Sequence, residues 1–305
     1  MILAAWLVFL IAVPVWAWSK IDKVDIQTSD QPADQPGTTY LLVGSDSRAG
    51  LSKQQRRKLG TGGDVGQRTD TIMLLHTGSG PSLLTSIPRD SQVPIPGHGT
   101  NKINAAFSYG GPKLLVRTIE QNTGVRIDHY VEIGFGGFVR AIDAVGGIQI
   151  CPKQDVKDKL ANIDIKAGCQ EADGATALGY SRSRHAFKAL GDVQRAANQR
   201  AVISSVGDKV KSPMTFINPV RYFRINNAMT KSVKISEGTG PIALANFAWA
   251  MTRVNGKSGY TCGIPIADLS VRWDRERALK FLSYIKQDKV GDMPKSLCTD
   301  SGLPK

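Results

Sequence analysis

The sequence has no CxxC pair, and its four histidines are scattered. Zinc needs Cys or His ligands at short, regular spacing, so a zinc site is not expected. Low-complexity tracts and internal repeats are missing, which argues against solenoids and disordered arrays. No helix-turn-helix, zinc-finger or RNA-binding signature is present, so nucleic acid is not an expected partner. Negative charge is scarce: 26 acidic residues face 39 Lys and Arg, for a net charge of +13. Such an excess suits an anionic membrane surface or a phosphate-bearing substrate, although a merely soluble basic surface would look the same.

Charge is missing altogether from Met1 to Trp18, MILAAWLVFLIAVPVWAW. A run of this length sits at the lower edge of a membrane span. Trp16 and Trp18 would suit an interfacial belt. A cleaved signal peptide is the rival reading, since Val15-Trp16-Ala17 loosely fits a cleavage pattern. Either reading exports the chain after Lys20. The expectation is one transmembrane helix at residues 1–20 in the cell membrane, a linker at 21–38 rich in turn residues, and an extracellular domain over 39–305. Four cysteines agree with export: Cys151 lies near Cys169, and Cys262 near Cys298. Three pairings are possible, and the two sequence-adjacent pairs are the expected ones.

Short apolar runs bounded by turn residues read as buried strands: Tyr40–Val43, Ile72–His76, Leu83–Ile87 and Ile148–Cys151. Helical patterns alternate with them. One opens at Pro112 and closes at Gly124, another carries Phe138, Ile142 and Val145, and a long one runs from Val193 to about Val210 with Asp192 as cap. Weaker helices fall at 242–254 and 275–286, within a stretch (213–305) read as the closing part of the same domain. The alternation predicts an α/β fold, an α/β/α sandwich with a central mixed sheet. Gly134-Phe135-Gly136-Gly137 is not a dinucleotide fingerprint and reads as a turn.

Four clusters carry chemistry. Asp46 follows the first strand, and Arg68 and Asp70 precede the second. Arg89 and Asp90 close the third. Arg182 and Arg184 alternate in a stretch read as extended, followed by Asp192, Arg195, Gln199 and Arg200. Ligands of open α/β sheets bind beyond the carboxyl ends of strands. Asp46, Arg89 and Asp90 qualify directly; Asp70 joins them only if its strand runs antiparallel to its neighbour. Carboxylates with room for other oxygen ligands suit Mg²⁺, and arginines grip phosphate bidentately. On a helix, Asp192, Arg195 and Gln199 fall within roughly 60° of one another. Each cluster also has a plainer reading: turn residues, a surface ion pair, a solvated strand face or a helix cap.

Together these segments resemble the LytR-CpsA-Psr family of bacterial cell-wall ligases over roughly residues 38–211. The matching stretches are LLVGSDSR, QRTDTIMLLH, LLTSIPRDSQVPIPG, NKINAAFSYGGP, GVRIDHYVEI, IDAVGGIQIC, and YSRSRH followed by D-x-x-R-x-x-x-Q. The resemblance implies a membrane-anchored, extracellular enzyme. Such an enzyme moves a glycopolymer from a polyprenyl-pyrophosphate carrier to peptidoglycan through a phosphodiester. It implies that Asp46 and Asp70 hold Mg²⁺. Arg68, Arg89, Arg182, Arg184, Arg195 and Gln199 would grip the pyrophosphate. The family's second helix arginine is Asn198 here, and Arg200 lies about 200° further round the helix, a poor substitute. The form of the SIPRDSQVPIPG stretch and the Cys151/Cys169 spacing lean towards arabinogalactan, with teichoic acid and capsule also open. A metal-dependent pyrophosphatase of lipid-linked glycans, or a non-enzymatic polymer-binding regulator, are the alternatives.

Overall fold

The computed structural model describes residues 1–47, 51–60, 69–183, 191–254 and 259–304. Its centre is a seven-stranded mixed sheet in the order β1-β12-β7-β2-β3-β4-β13. The strands are β1 (Asp22–Val24), β2 (Thr38–Ser45), β3 (Thr69–Thr77), β4 (Ser82–Ile87), β7 (His129–Gly134), β12 (Val233–Ser236) and β13 (Gly259–Gly263). β2 runs antiparallel to β3 and parallel to β7, while β4 runs antiparallel to β3. The mixed α/β architecture is therefore as the sequence predicts.

The strands alternate apolar side chains to two buried faces. Leu41, Val43, Ile72 and Leu74 pack with α3 (Ile103–Thr123) and α10 (Arg275–Lys286) on one side. Tyr40, Leu42, Met73 and Leu84 face the other side. There they meet Ile203 of α6 (Gly191–Val210) and Ala250 and Phe247 of α9 (Pro241–Met251). A satellite core joins α4 (Phe135–Ala144), α5 (Gly174–Arg182) and α6 around β8 (Ile148–Ile150), which pairs with β11 (Gln170–Ala172). Two hairpins complete the strands: β5 (Gln92–Ile95) with β6 (Gly99–Lys102), and β9 (Val156–Asp158) with β10 (Ile163–Ile165).

Cys151 pairs with Cys169 and Cys262 with Cys298, the two expected bonds. Loops of these lengths each contribute roughly 3–4 kcal/mol through the unfolded chain. The first closes the β8–β11 ribbon, and the second ties β13 to the C-terminal tail.

Two local readings are corrected. The glycine-rich 134–137 segment starts α4 instead of forming a turn. Glycine is needed there because a Cβ on Gly137 would lie 2.1 Å from the Ser232 carbonyl oxygen, which lets the helix pack close. Arg182 is not in an extended segment. It ends α5, a helix started by Asp173, whose side chain accepts from the Thr176 amide. Arg184 and Arg68 lie outside the described residues, as does the Asp192 side chain.

The N-terminal apolar run forms α1 (Ile2–Ser19). Among the described residues no helix is long and apolar enough to cross a membrane. α1 rests on α8 (Pro219–Thr230), where the Tyr222 hydroxyl donates to the Leu10 carbonyl at 2.7 Å. Residues 21–38 carry β1 and then lie along α3, with ion pairs from Asp25 to Lys113 and from Asp30 to Arg117.

Candidate active site

The antiparallel β2–β3 pairing brings Asp46 and Asp70 to one edge of the sheet. Ser45 pairs with Thr69 and Gly44 with Thr71, and the register shifts between Gly44 and Ser45. Asp70 is the extra residue at this irregularity, a device that re-aims a side chain at a strand end. Ile87, the last residue of β4, pairs with Ile72, so Arg89 and Asp90 emerge at the same edge. The condition attached to Asp70 in the sequence is met.

Asp70 sits between two guanidinium groups. Its Oδ1 accepts a short bond from Arg89 and has Arg195 Nη1 3.9 Å away. Arg195 is only 5% exposed, so its charge faces the site with little competing water. Arg89 also pairs with Asp90 at 3.3 Å, and Lys102 Nζ reaches Asp90 at 2.7 Å. Burial would raise the Asp90 pKa, but Lys102 and Arg89 outweigh it and hold the carboxyl below its usual range.

Arg182 approaches from the other side. Its guanidinium donates to the Leu59 and Gly60 carbonyls at 3.0 and 3.2 Å and stacks over the Phe135 ring. Gln199 is buried and donates its amide to the Ser181 carbonyl at 3.3 Å, linking α6 to the end of α5.

Asp70, Arg182, Arg195 and Gln199 line one end of a cavity of about 750 Å³. From there the wall turns apolar along Leu42, Val131 and Phe138 and reaches Trp18, Phe216 and Trp249 at the far end. A volume of this size is in the range that holds a ligand, roughly 300–1,000 Å³. A narrow recess on the other side of Asp70 is lined by Ser86, Arg89, Asp90, Arg195 and Gln199.

Arg200 is not part of this wall. It is buried and donates to the Ser86 hydroxyl and the Asp300 carbonyl, bracing the C-terminal tail against β4. Desolvation pulls its pKa down to about 10, against the pull of Asp300. Asn198 accepts from Gln194 at 2.9 Å, and its buried Nδ2 has no hydrogen-bond partner among the described residues.

One residue escaped the sequence reading. Glu132 is buried on β7 behind Ser45, whose hydroxyl donates to it at 2.8 Å, and Tyr130 donates to its other oxygen at 2.9 Å. It fixes the last residue of β2, directly before Asp46. A lone acid inside the strand HYVEIG was the available signal.

No group of three His, Cys, Asp or Glu residues gathers among the described residues. Two carboxylates at neighbouring strand ends still fit Mg²⁺, which completes its shell with phosphate oxygens and water.

The LytR_cpsA_psr family model matches residues 17–254. The chain belongs to that family. It is 50% identical over 252 residues to the probable cell wall biosynthesis protein LcpB of Corynebacterium glutamicum, a match covering 82% of this chain and 60% of LcpB. It is 36% identical over 229 residues to the polyisoprenyl-teichoic acid–peptidoglycan teichoic acid transferase TagT of Bacillus subtilis, covering 72% of this chain and 65% of TagT. The chain thus spans less than two thirds of the length of either relative. A solved family structure, YwtF (TagT) with bound octaprenyl pyrophosphate lipid, shares the fold. Its TM-score is 0.61 at 22% identity, covering 88% of this chain and 99% of that one.

Proposed function

We propose that the chain transfers a glycopolymer from a polyprenyl-pyrophosphate carrier to peptidoglycan, forming a phosphodiester. The observation that carries this reading is one cavity that joins a polar end, carrying Arg182 and Arg195, to a long apolar wall. A pyrophosphate bearing a prenyl chain has the same two-part chemistry. Membership in a family that includes a teichoic acid transferase supports it.

Phosphoryl transfer is mostly positioning and charge stabilisation. Arg89, Arg182 and Arg195 hold the pyrophosphate oxygens, joined by Arg68 and Arg184 and oriented by Gln199. Before substrate arrives, Asp70 keeps Arg89 and Arg195 converged by lying between them. Asp46 and Asp70 would hold Mg²⁺, which offsets phosphate charge when bound. The 6-hydroxyl of N-acetylmuramic acid in the acceptor attacks the glycan-side phosphorus. Polyprenyl monophosphate leaves with its chain still in the apolar part of the cavity. The first 20 residues anchor the chain in the cell membrane with the domain outside, and arabinogalactan is the first polymer to test.

The test is an assay of the purified chain with a short polyprenyl-pyrophosphoryl oligosaccharide and Mg²⁺, with and without peptidoglycan. Glycan coupled to peptidoglycan is the expected product. Equal release of sugar phosphate to water in both arms would establish a hydrolase instead.

A further inference from the structure

The far end of the cavity opens beneath an apolar surface that the chemistry at Asp70 does not use. Met214, Phe216 and Ile217 of α7 (Pro213–Ile217) and Val220 and Phe223 of α8 are between 43% and 67% exposed. On α9, Ile242 and Trp249 are exposed as well. Beside them α1 shows Leu3, Leu7, Val8 and Ile11 outward, while Trp16 stacks on Phe223 with ring centroids 5.5 Å apart. Apolar surface this continuous marks an interaction site. Phe216 and Trp249 are both exposed and part of the cavity wall, so they form its rim.

Charge says what covers this surface. Val220, Phe223, Arg224 and Asn227 recur at the three-and-four spacing of one helix face, and Lys231 follows on the same side. Lys211, just before α7, pairs at 3.1 Å with Asp208, the only acid from 208 to 231, so the net positive charge of this stretch comes from α8 and its end. A second copy of this chain packed face to face would oppose Arg224 and Lys231 to their own equivalents. An anionic bilayer accepts both parts, apolar side chains among acyl chains and cations at the headgroups. α8 is tied to α1 by the Tyr222 hydrogen bond to the Leu10 carbonyl, so the two helices present one common face.

We propose that α7, α8, α9 and the outer face of α1 form one docking face that inserts shallowly into an anionic membrane. The cavity then opens through Phe216 and Trp249 into the acyl layer, so a prenyl chain passes from bilayer to site without crossing water. The last step rests on the lipid reading of the cavity; the docking itself does not.

The experiment uses the full chain in nanodiscs, either phosphatidylcholine alone or an equal mixture with phosphatidylglycerol, and reads amide hydrogen exchange. Segments 213–224 and 241–251 are expected to exchange at least about tenfold more slowly in the anionic discs. The triple variant Ile217→Ser, Val220→Ser, Ile242→Ser touches no cavity-lining residue and should lose that protection. Equal exchange of wild type and variant in anionic discs would overturn the proposal. So would protection that grows with protein concentration in detergent without lipid, which would mean self-association. A second arm measures turnover of a short-chain, detergent-soluble lipid pyrophosphate and of a long-chain one in the discs. The variant should keep the first rate and lose about tenfold of the second. Intact protection with no turnover of either substrate would refute the transferase reading and leave the docking face standing.

Discussion

Replacing Asp70 by asparagine removes one charge from between two guanidinium groups and leaves the shape almost unchanged. At an effective dielectric near 20, a carboxylate about 4 Å from a guanidinium gains roughly 4 kcal/mol before desolvation is counted. The Asp70 side chain keeps 30% exposure. Screening and the desolvation cost therefore reduce the net loss to about 1–2 kcal/mol. The melting temperature should fall by a few degrees, with the fold intact by circular dichroism. Inorganic pyrophosphate should behave in the opposite sense. Without metal, the carboxylate competes with the anion for Arg89 and Arg195, so Asp70→Asn should bind pyrophosphate about tenfold tighter by calorimetry. Turnover should fall by roughly a hundredfold or more even at saturating Mg²⁺, because the proposed metal ligand is gone. Tighter binding with lost turnover separates a ligand role from a merely structural ion pair. Near-normal turnover would refute the metal assignment, and weaker pyrophosphate binding would refute the idea that the carboxylate occupies the anion's place.

Arg182→Lys keeps the charge but loses the fork held by Leu59, Gly60 and Phe135. Transfer should slow by roughly tenfold or more, while retention on a polyanion column stays unchanged; wild-type rates would show that charge alone suffices. Cys298→Ser should lower stability to denaturant by about 3–4 kcal/mol, since it opens the bond that holds the tail to β13, and an unchanged midpoint would contradict this. His76 gives the pH dependence. Burial lowers its pKa in the folded state, against the raising effect of Asp288. The unfolded chain therefore binds the proton first as pH falls below about 6.5. Stability should drop from that point through the lowered folded value, and His76→Gln should flatten melting curves in this window. An unchanged slope in the variant would assign the effect elsewhere.

The inner strands were legible because both of their faces are buried, which leaves unbroken apolar runs such as Tyr40–Val43 and Leu83–Ile87. β12 and β13 were not, since short edge-side strands carrying Lys234 or Gly259 and Gly263 lack that signal. α5 was hidden by its small residues, GATALGYSR, whose helix depends on the Asp173 cap and on packing more than on periodicity. The strand-end positions of Asp46, Asp70 and Arg89 could be argued from sequence alone. The cavity could not: Leu42 and Val131 line it, while Leu41 and Tyr130 beside them are ordinary core. Sequence marks a residue as apolar and leaves open whether the space next to it is filled.

The position of β12 in the sheet has a consequence for the order of folding. Among the described residues β1 pairs with β12 alone, Asp22 against Lys234 and Val24 against Ser236, and β12 in turn separates β1 from the body of the sheet. A chain synthesised from its N-terminus makes β1 first and its partner only after most of the domain exists. Until then the apolar N-terminal segment has no strand to hold it, and closing so long a loop is slow. The central strands β2, β3 and β4 pair with near neighbours in sequence and can assemble early. The N-terminal edge is therefore expected to be sealed last, and until β12 is in place the sheet keeps an open, association-prone margin on that side.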